Sequence, residues 1–240
     1  MEDFRLDKLV AELFRLTRKQ AKKEIACGNV SVNGAVQKQS AMHCFAEDII
    51  CLNGQRGVYQ KFYYIMMNKP KGVLSATKDR NTKTALDLLP EDMKRNDLFV
   101  AGRLDKNTTG FLLLTNDGEF AHNILSPKNH IPKTYVATLE RDISPQDVDA
   151  FANGISLKEG ICKPAKLVDL SNRRAEITIV EGKFHQIKRM FHAVNNEVHE
   201  LHRDKMGGLA LDSGLQPGEA RYITEDEMVI LKGELYDGRN

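Results

Sequence analysis

Apolar residues at Phe4, Leu6, Leu9, Val10 and Leu13 fall near helical spacing and predict a first helix with one buried face. A second helix follows closely. Thr17 and Gln20 form a capping-box pattern at its start, and Gly28 suits its end. Val30 and Val32 then alternate into Asn33 and Gly34, a two-residue turn suited to a tight hairpin, with Val36 on the return and a further strand over Asp48 to Leu52. Asn53 to Lys61 has two glycines and no apolar periodicity, so the domain boundary is expected there: a small domain over 1–55, a linker over 56–61, and a large domain over 62–240.

The large domain opens with a strand over Tyr63 to Met67, stopped by Asn68, Pro70 and Gly72, and a charged segment over Thr77 to Lys83 reads as a solvated loop. Its centre is VAGRLDKNTTGFLLLTNDG, Val100 to Gly118. Apolar residues run into Gly102 and Arg103, Asp105 stands in a polar bend, and Phe111 to Leu114 is apolar again. The acid is thus expected in a loop between two strands. A helix near Glu119 to Leu125, a loop SPKNHIPK and a strand over Thr134 to Leu139 follow, the last placing Tyr135, Ala137 and Leu139 on one face. Ser144, Pro145 and Asp147 start a helix that Gly154 ends, and Ala175, Ile177 and Ile179 alternate as a strand. In HQIKRMFHAV, Ile187, Met190, Phe191 and Val194 make an apolar face, with His185, Lys188, Arg189 and His192 on the polar side. Asn195 and Asn196 stop this helix, and a final one starts at the Thr224 and Glu227 box. Strands and helices do not alternate regularly, so the pattern predicts a mixed α+β fold rather than a doubly wound parallel one.

Composition changes this picture little. Hydrophobic residues make up 41% and charged residues 28%, an ordinary folded mixture, and the net charge of +2 does not by itself demand nucleic acid. The N-terminus lacks a signal-peptide pattern and no apolar run approaches the ~20 residues of a membrane span, so a soluble, cytoplasmic protein with no membrane partner is expected. Cys27, Cys44, Cys51 and Cys162 form no CxxC pair and suggest neither a redox motif nor zinc. His185, His192, His199 and His202 crowd together, but the asparagine pair breaks their helix, which favours RNA contacts or packing over a metal. Nucleotide-binding glycine motifs and a GxSxG elbow are absent, so no cofactor is expected.

The chemistry that remains is a loop acid, a strand tyrosine and basic helices. Asp105 suits catalysis in a rigidly framed loop, or caps its own turn. Arg18, Lys19, Lys22 and Lys23 make a cationic stripe on the second helix, which reads phosphates or is simply a solvated face. A hydrolytic glycosidase would usually need two carboxylates, and only one is suggested. A lone aspartate beside a cation and an aromatic ring fits nucleophilic attack on a nucleoside.

RLDKLVAE, RKQAKKEIACGNVSVNG and the acid of AEDII together resemble the small RNA-binding module named after ribosomal protein S-four. That resemblance implies RNA contacts for Arg18, Lys19, Lys22 and Lys23. AGRLDKNTTGFLLLTNDG, KTYVATLE and EGKFHQIKRM, in that order, resemble the pseudouridine synthase family whose members carry this module in front. The resemblance implies an α+β fold with a mainly antiparallel sheet. It also implies cofactor-free isomerisation of uridine to pseudouridine within RNA. By motif, Asp105 would be the nucleophile, Arg103 would hold the displaced nucleotide, Tyr135 would stack on the uracil, and Lys188 would pair with Asp105. Lys188 stands where many relatives have arginine, so a point charge replaces a fork. Without the resemblance, Tyr135 is a half-buried strand aromatic and Lys188 a solvated helix cation. The tail ELHRDKMGGLALDSGLQPGEARYITEDE is most similar to family members acting on the small ribosomal subunit, which implies 16S rRNA or a small-subunit assembly particle as partner and a monomeric enzyme. Action on 23S rRNA, or a non-catalytic assembly role, are the alternatives.

Overall fold

The computed structural model describes residues 3–126, 128, 129 and 131–237, so Pro127 and His130 of the SPKNHIPK loop lie outside the described residues. The chain forms two compact units, Met1–Lys61 and Phe62–Asn240.

In the first unit, helices Leu6–Leu13 and Arg18–Ala26 bury Leu6, Leu9, Val10, Ala21 and Ile25 against Val30, Val32 and Ile50 of a small sheet. The second helix starts where its local chemistry dictates: Thr17 Oγ1 accepts from Gln20 N at 3.2 Å and Gln20 Oε1 accepts from Thr17 N at 2.8 Å. Asn33 and Gly34 turn the hairpin with φ of 50° and 83°. The first helix is shorter than its apolar spacing predicts. Asp3–Arg5 is instead a strand paired with His43–Phe45, and the Phe4 ring packs on Tyr59, 5.0 Å between centroids, as well as on the core that the helices line. Residues 53–61 are also more structured than their composition suggests. Asn53 and Gly54 make a second turn with positive φ, Gln55–Arg56 pairs with Ile50–Leu52, and Tyr59 is the partner of Phe4. A two-residue strand leaves no periodicity to read.

The second unit is a mixed α+β fold around a nine-stranded sheet among the described residues. Its path runs Lys166–Asp169, Arg174–Ile179, Lys133–Leu139, Val198–Met206, Thr109–Thr115, Tyr64–Lys69, Ala220–Tyr222, with Phe99–Ala101 also on Thr109–Thr115. The sheet is antiparallel except at one seam, where Val198–Met206 runs parallel to Thr109–Thr115 through His202 opposite Thr109 and Arg203 opposite Gly110. Only glycine fits that seam: a Cβ on Gly110 would stand 2.3 Å from the Arg203 carbonyl oxygen, and its φ is +99°. The continuous apolar runs are strands buried on both faces. Ile65, Met67, Leu112 and Leu114 face Phe151, Ile187, Met190 and Phe191 from helices Pro145–Asn153 and Gln186–Ala193. Met66, Phe111 and Leu113 face the other way, onto Phe120, Ile124, Met228 and Leu231 from helices Gly118–Leu125 and Glu225–Asp237. No helix among the described residues is long and apolar enough to cross a membrane.

Candidate active site

The loop between Phe99–Ala101 and Thr109–Thr115 is fixed at three points, each by a buried polar group that spends its hydrogen bonds on loop carbonyls. At its start, the guanidinium of Arg203, 2% exposed, donates from Nη2 to the Gly102 carbonyl at 2.7 Å and from Nε to the Phe111 carbonyl at 2.8 Å. In the middle, Ser75 Oγ donates to the Leu104 carbonyl at 2.8 Å and accepts from Leu104 N at 3.1 Å. At its end, the ammonium of Lys69 donates to the carbonyls of Pro70, Lys106 and Thr108 at 3.0, 3.2 and 3.0 Å. Burial pushes the Lys69 amine down to about 8, against the opposing attraction of Asp105. The loop is therefore a rigid mount rather than a mobile connection.

Asp105 is presented from this mount with its side chain 30% exposed. The turn closes through its backbone, Thr108 N donating to the Asp105 carbonyl at 3.1 Å, which leaves the carboxylate to face the cleft. Two cations flank it: His185 Nε2 at 3.6 Å from Oδ1, when protonated, and Lys188 Nζ at 3.9 Å from Oδ2. Lys188 makes a single contact, as a point charge must. Both come from the start of helix Gln186–Ala193, whose N-cap His185 sits in the left-handed region with φ 48°. Tyr135 lines the same cleft, 8% exposed, with its hydroxyl 3.4 Å from Arg203 Nη1. Leu104, Ile179, Ile187 and Leu201 supply apolar walls. Among the described lining residues Asp105 is the one acid. Arg103 reaches the cleft on both sides of Asp105, exposed and without a protein partner among the described residues.

The structure thus brings Arg103, Asp105, Tyr135 and Lys188 to one cleft. The four cations of the second helix lie in the other unit, and they are not equivalent. Arg18 and Lys22 turn to the fully buried carboxylate of Asp7, at 2.9 and 3.7 Å, with Arg5 adding a third contact at 3.1 Å. Burial would raise the Asp7 pKa, but the hydrogen bonds from Arg5 and Arg18 prevail and hold it down at about 2. Lys19 and Lys23 stay exposed beside this cluster. The clustered histidines scatter: His199 pairs with Glu140 at 2.6 Å, His202 meets Thr109 Oγ1 at 2.8 Å, and no metal-holding group occurs among the described residues.

A family model described as RNA pseudouridylate synthase matches residues 63–193, and an S4 domain model matches residues 4–50. The chain belongs to the RNA pseudouridylate synthase family. Over 233 residues this synthase is 45% identical to the uncharacterized RNA pseudouridine synthase YtzG of Bacillus subtilis, covering 95% of this chain and 98% of that one. It is 40% identical over 227 residues to ribosomal small subunit pseudouridine synthase A of Escherichia coli K12, covering 93% and 98%. A solved structure described as a pseudouridylate synthase superposes with a TM-score of 0.68 at 39% identity, covering 95% of this chain and 99% of that one. The synthase family therefore accounts for the whole two-unit layout. Sequence reading missed the residues that hold the site, Lys69, Ser75 and Arg203. The one available signal was polarity in a buried slot: Lys69 ends an apolar strand, and Arg203 occupies a buried position of Val198–Met206.

Proposed function

We propose that this synthase isomerises a uridine of 16S ribosomal RNA to pseudouridine, with Asp105 as nucleophile and no cofactor. The observation that carries the reading is the single carboxylate, mounted on a fixed loop between Lys188 and the imidazole of His185 and sharing its cleft with Tyr135. Attack by Asp105 on the nucleoside, at sugar or base, lets the N1–C1′ bond break. The uracil turns, a C5–C1′ bond forms, the bond to Asp105 breaks and returns the carboxylate, and the C5 proton is given up while N1 gains one. The reaction is an isomerisation and needs no co-reactant. Tyr135 stacks on the uracil and stands over C5 to help remove its proton. Arg103, with no protein partner among the described residues, holds the displaced nucleotide's phosphate. Lys188 neutralises Asp105 and keeps it in place.

The target must leave its stack before any of this, at a cost of a few kcal/mol. Contacts from the S4 unit offset that cost, with Lys19 and Lys23 on phosphate and Arg18 and Lys22 shared between Asp7 and RNA. The small-subunit name of the E. coli relative supports 16S rRNA as substrate. We place the enzyme in the cytoplasm, as a monomer acting on 16S rRNA or a small-subunit assembly particle. Incubation with unmodified 16S and 23S transcripts, followed by pseudouridine mapping, tests the reading. A single modified position in 16S rRNA is expected. Product confined to 23S rRNA would overturn the substrate, and no product in either RNA or in the particle would overturn the reaction.

A further inference from the structure

Adjoining the first cleft at Arg103, Leu104, Asp105 and His185 lies a second one of about 480 Å³, within the ~300–1,000 Å³ typical of ligand sites. Leu74, Ser75 and Ala76 line it, Arg103 and Lys106 bring positive charge, and Phe184 stands at its wall. Phe184 is 73% exposed, against 43% for Phe45 and 36% for Phe62 and Tyr222, the other exposed aromatic rings among the described residues. The Phe184 ring is oriented by a neighbour. It stacks on the imidazole of His185, with centroids 3.8 Å apart and planes 18° from parallel, and His185 itself faces Asp105. His185 holds this position in the left-handed region, with φ 48°, a conformation that often marks a functional site.

An exposed, pre-oriented aromatic face beside two cations, next to a nucleophile, has the chemistry of a stacking platform for a nucleic-acid base. We infer that Phe184 and His185 form a subsite for the nucleobase adjoining the target uridine, with Arg103 and Lys106 on the phosphates between them. The platform compensates the neighbour for the stacking partner it loses when the uridine is extruded. It adjoins the uracil pocket through Asp105 and His185, with Tyr135 lining the first cleft and Phe184 the second. The inference rests on the uridine-isomerising reading of Asp105, whose own failure is recognisable as loss of product from the wild-type protein.

The test compares Phe184→Leu with Phe184→Tyr and Phe184→Trp on a 16S transcript spanning the mapped uridine. Loss of one stacked base predicts a KM raised roughly 5- to 150-fold in the leucine variant, with kcat changed far less. The two aromatic variants should stay within about threefold of wild type. In a second measurement the transcript carries 2-aminopurine on either side of the uridine. Wild type should quench its fluorescence at one flank, and Phe184→Leu should abolish the quenching. A wild-type enzyme that makes product but shows no quenching at either flank, or a leucine variant with an unchanged KM, overturns the subsite and leaves the reaction standing.

Discussion

Replacing Lys69 by Met separates the mount of Asp105, the proposed nucleophile, from the carboxylate itself. The methionine fills the same volume but donates nothing, so the Pro70 and Thr108 carbonyls lose the ammonium contacts at 3.0 Å and Lys106 keeps only its bond from Gly72 N at 2.8 Å. Hydrogen bonds to a charged group contribute about 1.5–3 kcal/mol each. Against that stands the burial of the amine: a fall from 10.5 to about 8 corresponds to about 3 kcal/mol. Over the three ammonium bonds the balance is a net loss of about 2–6 kcal/mol. The chain has no tryptophan, so unfolding in urea is best followed by far-UV circular dichroism, reading the transition of the larger unit. Activity should fall further than stability. A nucleophile displaced by about 1 Å costs on the order of 100-fold in turnover, and Asp105 is one residue from a carbonyl that Lys69 holds. A Lys69→Met enzyme with unchanged urea midpoint and unchanged kcat would refute the reasoning.

Three further outcomes follow from the same geometry. Gly110→Ala, which drives a Cβ into the Arg203 carbonyl at positive φ, should destabilise the larger unit by about 3 kcal/mol or more; a melting temperature within a degree of wild type would contradict the seam. Lys133 is a buried amine that burial and the Arg203 charge push down to about 8, so its penalty is present below pH 8 and is relieved as pH rises toward 10.5. Lys133→Met should therefore stabilise by about 1–3 kcal/mol at pH 7 and flatten that rise, as urea midpoints at pH 7 and 10 would show. In the S4 unit the Asp7 pKa is depressed to about 2, so its contribution is present above about 3.8 and is lost as pH falls toward 2. Asp7→Asn should shrink the wild-type loss of stability between pH 5 and pH 2.5 by about 2 kcal/mol, measured as the acid shift of that unit's transition.

What the sequence discloses depends on how local the physics is. The Thr17 and Gln20 box and the Asn33–Gly34 turn are settled within four residues, and they form where the pattern puts them. The apolar flanks of the Asp105 loop are equally legible, because strands buried on both faces read as unbroken hydrophobic runs. Phe4 misleads for the opposite reason: its apolar partner is Tyr59, fifty-five positions on, so helical spacing describes its burial but not its conformation. Arg203 and Lys69 are hidden more completely. Their acceptors are backbone carbonyls as far as 101 and 39 residues away, and a carbonyl has no sequence signature. The cationic stripe also conceals a partner, because Asp7, lying in an apolar helix face, pairs with Arg18 and Lys22. Charge alone cannot reveal which cations are already partnered.

Asp105→Asn keeps the shape of the side chain and its place on a loop held by Lys69, Ser75 and Arg203, while removing the carboxylate proposed as nucleophile. Pseudouridine mapping of 16S rRNA treated with this variant, beside a wild-type control and a binding measurement on the same transcript, tests the account at its centre. The expected result is RNA bound within a few-fold of wild type and no pseudouridine formed. Pseudouridine made by the asparagine variant at the wild-type rate would show that Asp105 is not the nucleophile.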